Sequence, residues 1–255
     1  MEKNTFLLIS DDEYFAAEGL NYSTIKNFAI SPKHYKYFLD NPQPATQAQD
    51  FGSACHCAVL RPEIYDSNYF ECDEKIDRRT KEGKAIVEEA GERQIVPSII
   101  RSQIAPEVAK IVDFSKTINE ASIFWTDCKA KIDAYDPEEQ IIYDVKATSE
   151  STPDGFAKSF LKYKYYLQAA HYVNAVQATG AKVKAYKILT IENKAPYDVA
   201  LYNVDPLYIE YGQNELVELL KGIRECEFND EWAGINRPEL TIALPNFLTL
   251  SQKGE

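Results

Sequence analysis

Hydrophobic and polar positions follow two different periods along this chain. Up to about residue 115 the apolar positions recur at helical spacing, and they then alternate as in strands before returning to helical spacing. In the first part, Ser23 is placed to cap a helix beginning at Thr24. Ser31-Pro32 starts another, with Pro at the first helical position and Tyr35, Phe38 and Leu39 as its apolar stripe. Asn41-Pro42-Gln43-Pro44 reads as a loop, and a third helix is expected over 46–60, ending before Pro62. That helix carries mostly small residues at Gly52, Ser53, Ala54 and Cys55, which permit close approach to a neighbour. Further helices are expected over 77–92 and 97–112.

Three strand-like runs follow at 121–126, 129–135 and 140–147, the last two joined by the turn-forming Asp136-Pro137-Glu138-Glu139. A long helix is expected over 153–178, stopping at Gly180, then strands over 182–191 and 198–204 and a final helix over 206–225. No linker divides the chain. It reads as one α/β (α+β mixed-sheet) domain over 1–255, with a mainly helical part at 20–115, a sheet and long helix at 116–228, and a tail at 229–255. The tail is apolar at Leu240, Ile242, Leu244, Phe247 and Leu248, and it either packs on its own domain or docks on a neighbour.

Composition narrows the class. With 17 Tyr, 12 Phe and 45% hydrophobic residues, the chain is suited to a packed core and not to disorder. No apolar run approaches the roughly 20 residues that span a bilayer, and Asp11, Asp12 and Glu13 follow the short patch at Phe6 to Ile9. The expected location is cytoplasmic, with no membrane partner. The five cysteines are odd in number and irregular in spacing, so neither a disulfide framework, a zinc site nor an iron–sulfur cluster is expected. The net charge of −12 opposes nucleic-acid binding unless basic residues are focused in one groove and metal ions offset catalytic carboxylates. The densest basic run is Arg78-Arg79-Thr80-Lys81, which offers either backbone-phosphate contacts from Arg78, Arg79 and Lys81 or a solvated helix start.

Candidate chemistry centres on one triplet. Five acid-x-Lys triplets occur, and only Asp144-x-Lys146 lies inside an apolar strand pattern. There Asp144, Lys146 and Ile142 share one face, while Ile141, Tyr143 and Val145 take the other. The hairpin can bring Asp133 across from Asp144, and two converging carboxylates suit a hard cation. A salt bridge on a surface hairpin satisfies the same triplet. In the long helix Gln168 and Tyr172 are four residues apart on one face, and Lys164 extends it. They are either site residues or an ordinary polar stripe. His56, between two cysteines, is a ligand or a packed core residue.

Taken in order, Gly52-Ser53-Ala54-Cys55-His56-Cys57, Ile132-Asp133, Asp144-Val145-Lys146 and Gln168-x-x-x-Tyr172 resemble the motifs of RecB-like nucleases of the PD-(D/E)XK superfamily. The closest likeness is to the exonuclease VIII (RecE-type) nuclease domain of phages and prophages, supported by Ser31-Pro32-Lys33-His34-Tyr35, by the stretch 78–84 and by 121–125. Ile132 stands where the superfamily name has Pro. The resemblance implies a restriction-endonuclease-like core of order αβββαβ with extra N-terminal helices. It implies a metal held by His56, Asp133, Asp144 and the Val145 carbonyl, with Lys146 assisting the attacking water and Gln168 and Tyr172 completing the motif. Glu120 occupies a place where relatives carry an acid before the first strand. The implied activity is a magnesium-dependent exonuclease (manganese substituting), 5′-to-3′ on double-stranded DNA ends. It would feed single strands to a RecT-type annealing protein and assemble as a cyclic homo-oligomer. A structure-selective endonuclease and a catalytically silent DNA-binding scaffold are the alternatives.

Overall fold

The computed structural model describes residues 1–41, 47–73, 76–235 and 239. The expected loop residues 42–44, the start of the third helix at Thr46 and the apolar tail from Leu240 to Leu248 lie outside them. In chain order the helices before the main sheet are α1 (Asp11–Ala16), α2 (Tyr22–Phe28), α3 (Pro32–Asp40), α4 (Gln47–Leu60), α5 (Tyr65–Asn68), α6 (Lys81–Ala90) and α7 (Ala105–Ala109). Between them β1 (Tyr69–Glu71) and β2 (Gln94–Val96) form a small parallel pair that the pattern does not announce. The main sheet contains β3 (Ile118–Trp125), β4 (Cys128–Asp136), β5 (Ile141–Thr148), β6 (Ala185–Glu192) and β7 (Val199–Asn203). Helices α8 (Pro153–Lys162) and α9 (Tyr165–Ala178) connect β5 to β6, and α10 (Pro206–Asn229) follows β7.

The five strands lie side by side in sequence order. β3, β4 and β5 are antiparallel, β5 and β6 parallel, and β7 antiparallel to β6. The parallel step requires a crossover, which α8 and α9 supply. This is the expected mixed α/β core, αβββαβ, with α4 as its first helix. Among the described residues no helix is long and apolar enough to cross a membrane.

Both faces of the sheet are covered. Ile132, Ile142 and Ile188, all fully buried, pack beneath α9 and α10, while Ile141, Tyr143 and Val145 pack beneath α4 with Ala54 and Cys55. Truncating one such isoleucine to alanine would cost about 2–5 kcal/mol. The small residues of α4 have the expected consequence: a Cβ at Gly52 would stand 3.4 Å from the Ala147 side chain of β5. On the opposite face α10 meets α9 at Gly212, where a Cβ would fall 2.6 Å from the Tyr166 carbonyl oxygen and 2.8 Å from the Ala170 side chain.

Three expectations need correction. The cap of α2 is Asn21, whose side chain accepts the Thr24 amide at 2.9 Å, and Ser23 lies inside the helix. The helix expected over 77–92 begins at Lys81, because Thr80 caps it through the Gly83 amide at 3.0 Å. The long helix expected over 153–178 is two helices. Lys164 adopts a left-handed conformation (φ 54°, ψ 42°) between them, and the Tyr22 hydroxyl donates to the Tyr163 carbonyl there at 2.5 Å. The chain therefore turns before Tyr165, and Lys164 does not extend the Gln168–Tyr172 face.

Candidate active site

β5 carries Asp144 and Lys146 on the face where Ile142 enters the core, as its alternation requires. Asp144 is fully buried. Its Oδ1 lies 2.5 Å from Lys146 Nζ and 3.4 Å from Gln168 Nε2, while Oδ2 has no hydrogen-bond partner among the described residues. Burial opposes the charge on Lys146, but Asp144 and then Asp133 outweigh it and hold the ammonium above its ordinary value. The Tyr165 ring lies 5.4 Å from the same ammonium. Behind Asp144, burial pushes the hydroxyls of Tyr172 and Tyr186 well up, and the Asp144 carboxylate adds to the rise in both.

The strand β4 breaks its alternation where the second carboxylate stands. Ala130, Ile132 and Tyr135 pack in one core and Ala134 in the other, with Asp133 at the change. On β3 Glu120 has φ 53°, an unfavourable backbone conformation of the kind that concentrates at functional sites. Glu120 thus lies within the first strand and not before it. Asp133 Oδ2 accepts the Val145 amide at 2.7 Å. His56, carried to β5 by the close packing of α4, has Nε2 2.7 Å from the Val145 carbonyl. With Nε2–H donating there, Nδ1 is the nitrogen that faces Glu120 Oε1 and Asp133 Oδ2, each at 3.8 Å.

The electrostatics reflect the crowding. Burial raises the Asp133 carboxyl most; His56 opposes the rise, and Asp144 and Glu120 reinforce it, leaving it above the usual carboxylate range. Burial would also raise Glu120, but His56 and Lys131 prevail and hold it low. His56 is raised, because Asp133 and Glu120 outweigh its burial.

One ligand atom from each of His56, Glu120 and Asp133 lies within 4.8 Å of the others. Donors at about 2.1 Å from a common ion are separated by at most about 4.2 Å, so the set needs only a small contraction to hold one. Two carboxylates and an imidazole suit a divalent cation. A histidine ligand with its other N–H on a main-chain carbonyl is an orienting arrangement that recurs at metal sites. The Val145 carbonyl, expected among the ligands, here accepts from His56. Asp144 stands behind the set with Oδ2 to spare.

These groups open on a cleft of about 900 Å³ whose walls include Lys26, Arg61, Lys131, Tyr165, Gln168 and Tyr172. The basic residues expected to grip DNA do not line it. Arg79 points to solvent and pairs with Asp77 at 3.0 Å, an exposed pair of little energetic weight. Arg78 and Lys81 are also exposed and outside the cleft. Lys164 is tied to Glu215 Oε1 at 2.7 Å and to the Tyr166 hydroxyl at 2.9 Å. Of the cations that line the cleft, sequence reasoning finds Lys146 and misses Lys26, Arg61 and Lys131. Lys131, two residues before Asp133, had the simplest available signal.

The sequence profile of a family described as a PDDEXK-like domain of unknown function (DUF3799) matches residues 21–236. Comparison with curated proteins gives no match. Among solved structures, a protein from Eubacterium rectale provisionally named an exonuclease is similar with a TM-score of 0.59 and 15% identity, over 97% of this chain and 99% of its own. A phage-related exonuclease from Haemophilus somnus 129PT gives a TM-score of 0.40 and 10% identity, over 86% of this chain and 100% of its own. The first likeness is one of fold.

Proposed function

This chain belongs to the PDDEXK-like domain family, and from that membership we propose that it is a divalent-metal-dependent DNA nuclease working as an exonuclease on duplex ends. The observation that carries the reading is the convergence of His56, Glu120 and Asp133 in front of the buried Asp144–Lys146 pair. The name given to the Eubacterium rectale structure favours end-directed cutting. Magnesium is the proposed ion, with manganese as substitute. The reading extends to 5′-to-3′ polarity, a cyclic homo-oligomer and a RecT-type annealing partner that receives the single strand, all three resting on the resemblance to exonuclease VIII.

His56, Glu120 and Asp133 would hold the ion, with Asp144 completing the set. Such an ion polarises phosphoryl oxygens and favours hydroxide over water. Lys146 Nζ, fixed on Asp144, orients the attacking water and offsets charge developing on the phosphate as the phosphorus–oxygen ester bond breaks. Gln168 restrains Asp144 from α9, and Tyr165 limits the space open to the Lys146 ammonium. The buried Tyr186 excludes bulk water from beside Asp144, which strengthens each of these interactions.

End-labelled linear DNA and covalently closed circles, each with and without magnesium, test the reading. Loss of linear DNA from its ends only when metal is present is expected, with closed circles spared. Rapid cutting of closed circles would move the assignment to an endonuclease with the same site. Full activity in excess chelator would end the metal mechanism.

A further inference from the structure

We propose that Arg61 and Lys131 form a phosphate-binding subsite on the wall of the cleft for the backbone of a nucleic-acid strand, and that Asp11 occupies it in the free protein. The proposal rests on the nuclease reading for its ligand and on geometry for its place. Four of the cleft-lining residues are lysine or arginine, namely Lys26, Arg61, Lys131 and Lys146, in a chain of net charge −12. Lys146 is committed to Asp144. Lys131 Nζ pairs with Glu120 Oε2 at 2.9 Å and also with Asp11. Arg61 Nη2 lies 3.8 Å from Asp11 Oδ2 and 4.0 Å from Glu120 Oε2.

Two cations are thus shared between two carboxylates that differ in kind. The Glu120 side chain is 14% exposed and turned toward His56, whereas that of Asp11 is 54% exposed. A phosphodiester resembles the outer carboxylate in what it offers, a single negative charge spread over two acceptor oxygens, and guanidinium and ammonium groups bind both. The place held by Asp11 is therefore one that a strand phosphate can take by exchange, with Glu120 left facing the metal-binding groups.

The short helix that carries Asp11 does not depend on it. Ser10 and Glu13 close a capping box at its start. At its end Lys129 Nζ donates to the carbonyls of Tyr14 at 2.9 Å and Ala17 at 2.5 Å. The Asp11 side chain can be altered while its backbone stays fixed. An acidic residue that competes for the subsite also gives selectivity: weak anions do not displace it, and a polyanion anchored elsewhere in the cleft does.

The test is fluorescence anisotropy of a labelled short DNA duplex against the full-length protein in calcium, across a salt series. Asp11→Asn should bind about threefold to tenfold more tightly at low salt, with a salt slope steeper by about one. Arg61→Gln and Lys131→Gln should bind more weakly, each with a slope shallower by about one. Equal or weaker binding by a folded Asp11→Asn overturns the proposal. So does an unchanged slope in Arg61→Gln, or an absence of DNA binding by every form. Cleavage by the wild-type protein, assayed separately, decides the nuclease reading. A protein that cleaves DNA but is indifferent to Asp11→Asn keeps that reading and loses the subsite; one that cleaves nothing while binding shifts as described does the reverse.

Discussion

Both main-chain polar groups of Val145 serve side chains of the site: its amide donates to Asp133 Oδ2 and its carbonyl accepts from His56 Nε2, each at 2.7 Å. The regular pairing of β4 with β5 runs from Asp136 opposite Ile141 to Ala134 opposite Tyr143. Beyond it side-chain contacts replace the ladder bonds between these strands, and His56 enters from α4.

Because Asp133 links this opening to the proposed ion, its loss should be more damaging than a lost ligand alone. Asp133→Ala, Asp144→Ala and Lys146→Ala are each expected to lower cleavage at least about a thousandfold, ~4 kcal/mol of transition-state stabilisation. Gel assays on linear DNA, beside circular dichroism of each variant, check this. Near-normal cutting by a folded Asp144→Ala would refute the assignment.

Metal should act on stability as well as on activity. Burial and neighbouring carboxylates disfavour ionised Asp133, so the metal-free site is destabilised as that group loses its proton. Saturating magnesium or manganese should raise the melting temperature by several degrees, and chelator should reverse it. Asp133→Asn should melt higher than the wild type without metal and gain less from it. Thermal melts at fixed pH decide; equal metal-induced gains in both proteins would contradict the proposed ligand set.

Acid sensitivity should come from His171, which is buried beside Trp125 with Nε2 3.0 Å from the Lys129 carbonyl. Burial holds the imidazole down to about 4, whereas in the unfolded chain it titrates near 6.5. Between those values the unfolded state binds more protons at this group, so the contribution of His171 to stability is full above about 6.5 and falls as the pH drops toward 4, by up to about 3 kcal/mol, against the opposite contribution of Asp133. Denaturant melts of the wild type and His171→Gln from pH 7.5 to 4.5 measure this contribution as the difference between the two profiles. His171→Gln should be less stable at neutral pH and lose less stability than the wild type on acidification.

Lys164 and the pair Arg78 and Arg79 should be silent in DNA binding. Lys164→Ala removes the contacts to Glu215 and Tyr166 and should lower the melting temperature modestly while leaving the salt slope of binding unchanged. Arg78→Ala with Arg79→Ala should alter neither by much. A slope reduced by one or more in either variant would place DNA outside the cleft.

What the sequence discloses depends on how local the cause is. The β4–β5 hairpin is legible because Asp136-Pro137 sets a turn between two alternating runs, and that turn fixes Asp133 near Asp144. Acid-x-Lys acquires meaning through its strand pattern, and Gln168 and Tyr172 through helical spacing. The break at Lys164 is not legible. Neither glycine nor proline marks it, and its conformation is accompanied by contacts from Tyr22 and Glu215, both distant in sequence. The same holds for Glu120, whose backbone departs from the ordinary strand conformation inside an unremarkable run. The trio of Asp11, Arg61 and Lys131 spans 120 residues and exists only once α1 and α4 have docked on the sheet.

Gly212 gives α10 an office beyond packing. Its bare backbone touches α9 at Tyr166 and Ala170, and Gln168 stands midway between those two. The standoff between the helices is thereby set from the outer layer of the molecule, where no side chain takes part in any chemistry. A single methyl group at that position would act as a shim, tilting α9 and moving the Gln168 amide relative to Asp144, whose contact at 3.4 Å has little margin. The alignment of the buried carboxylate is gauged from a position the substrate never meets.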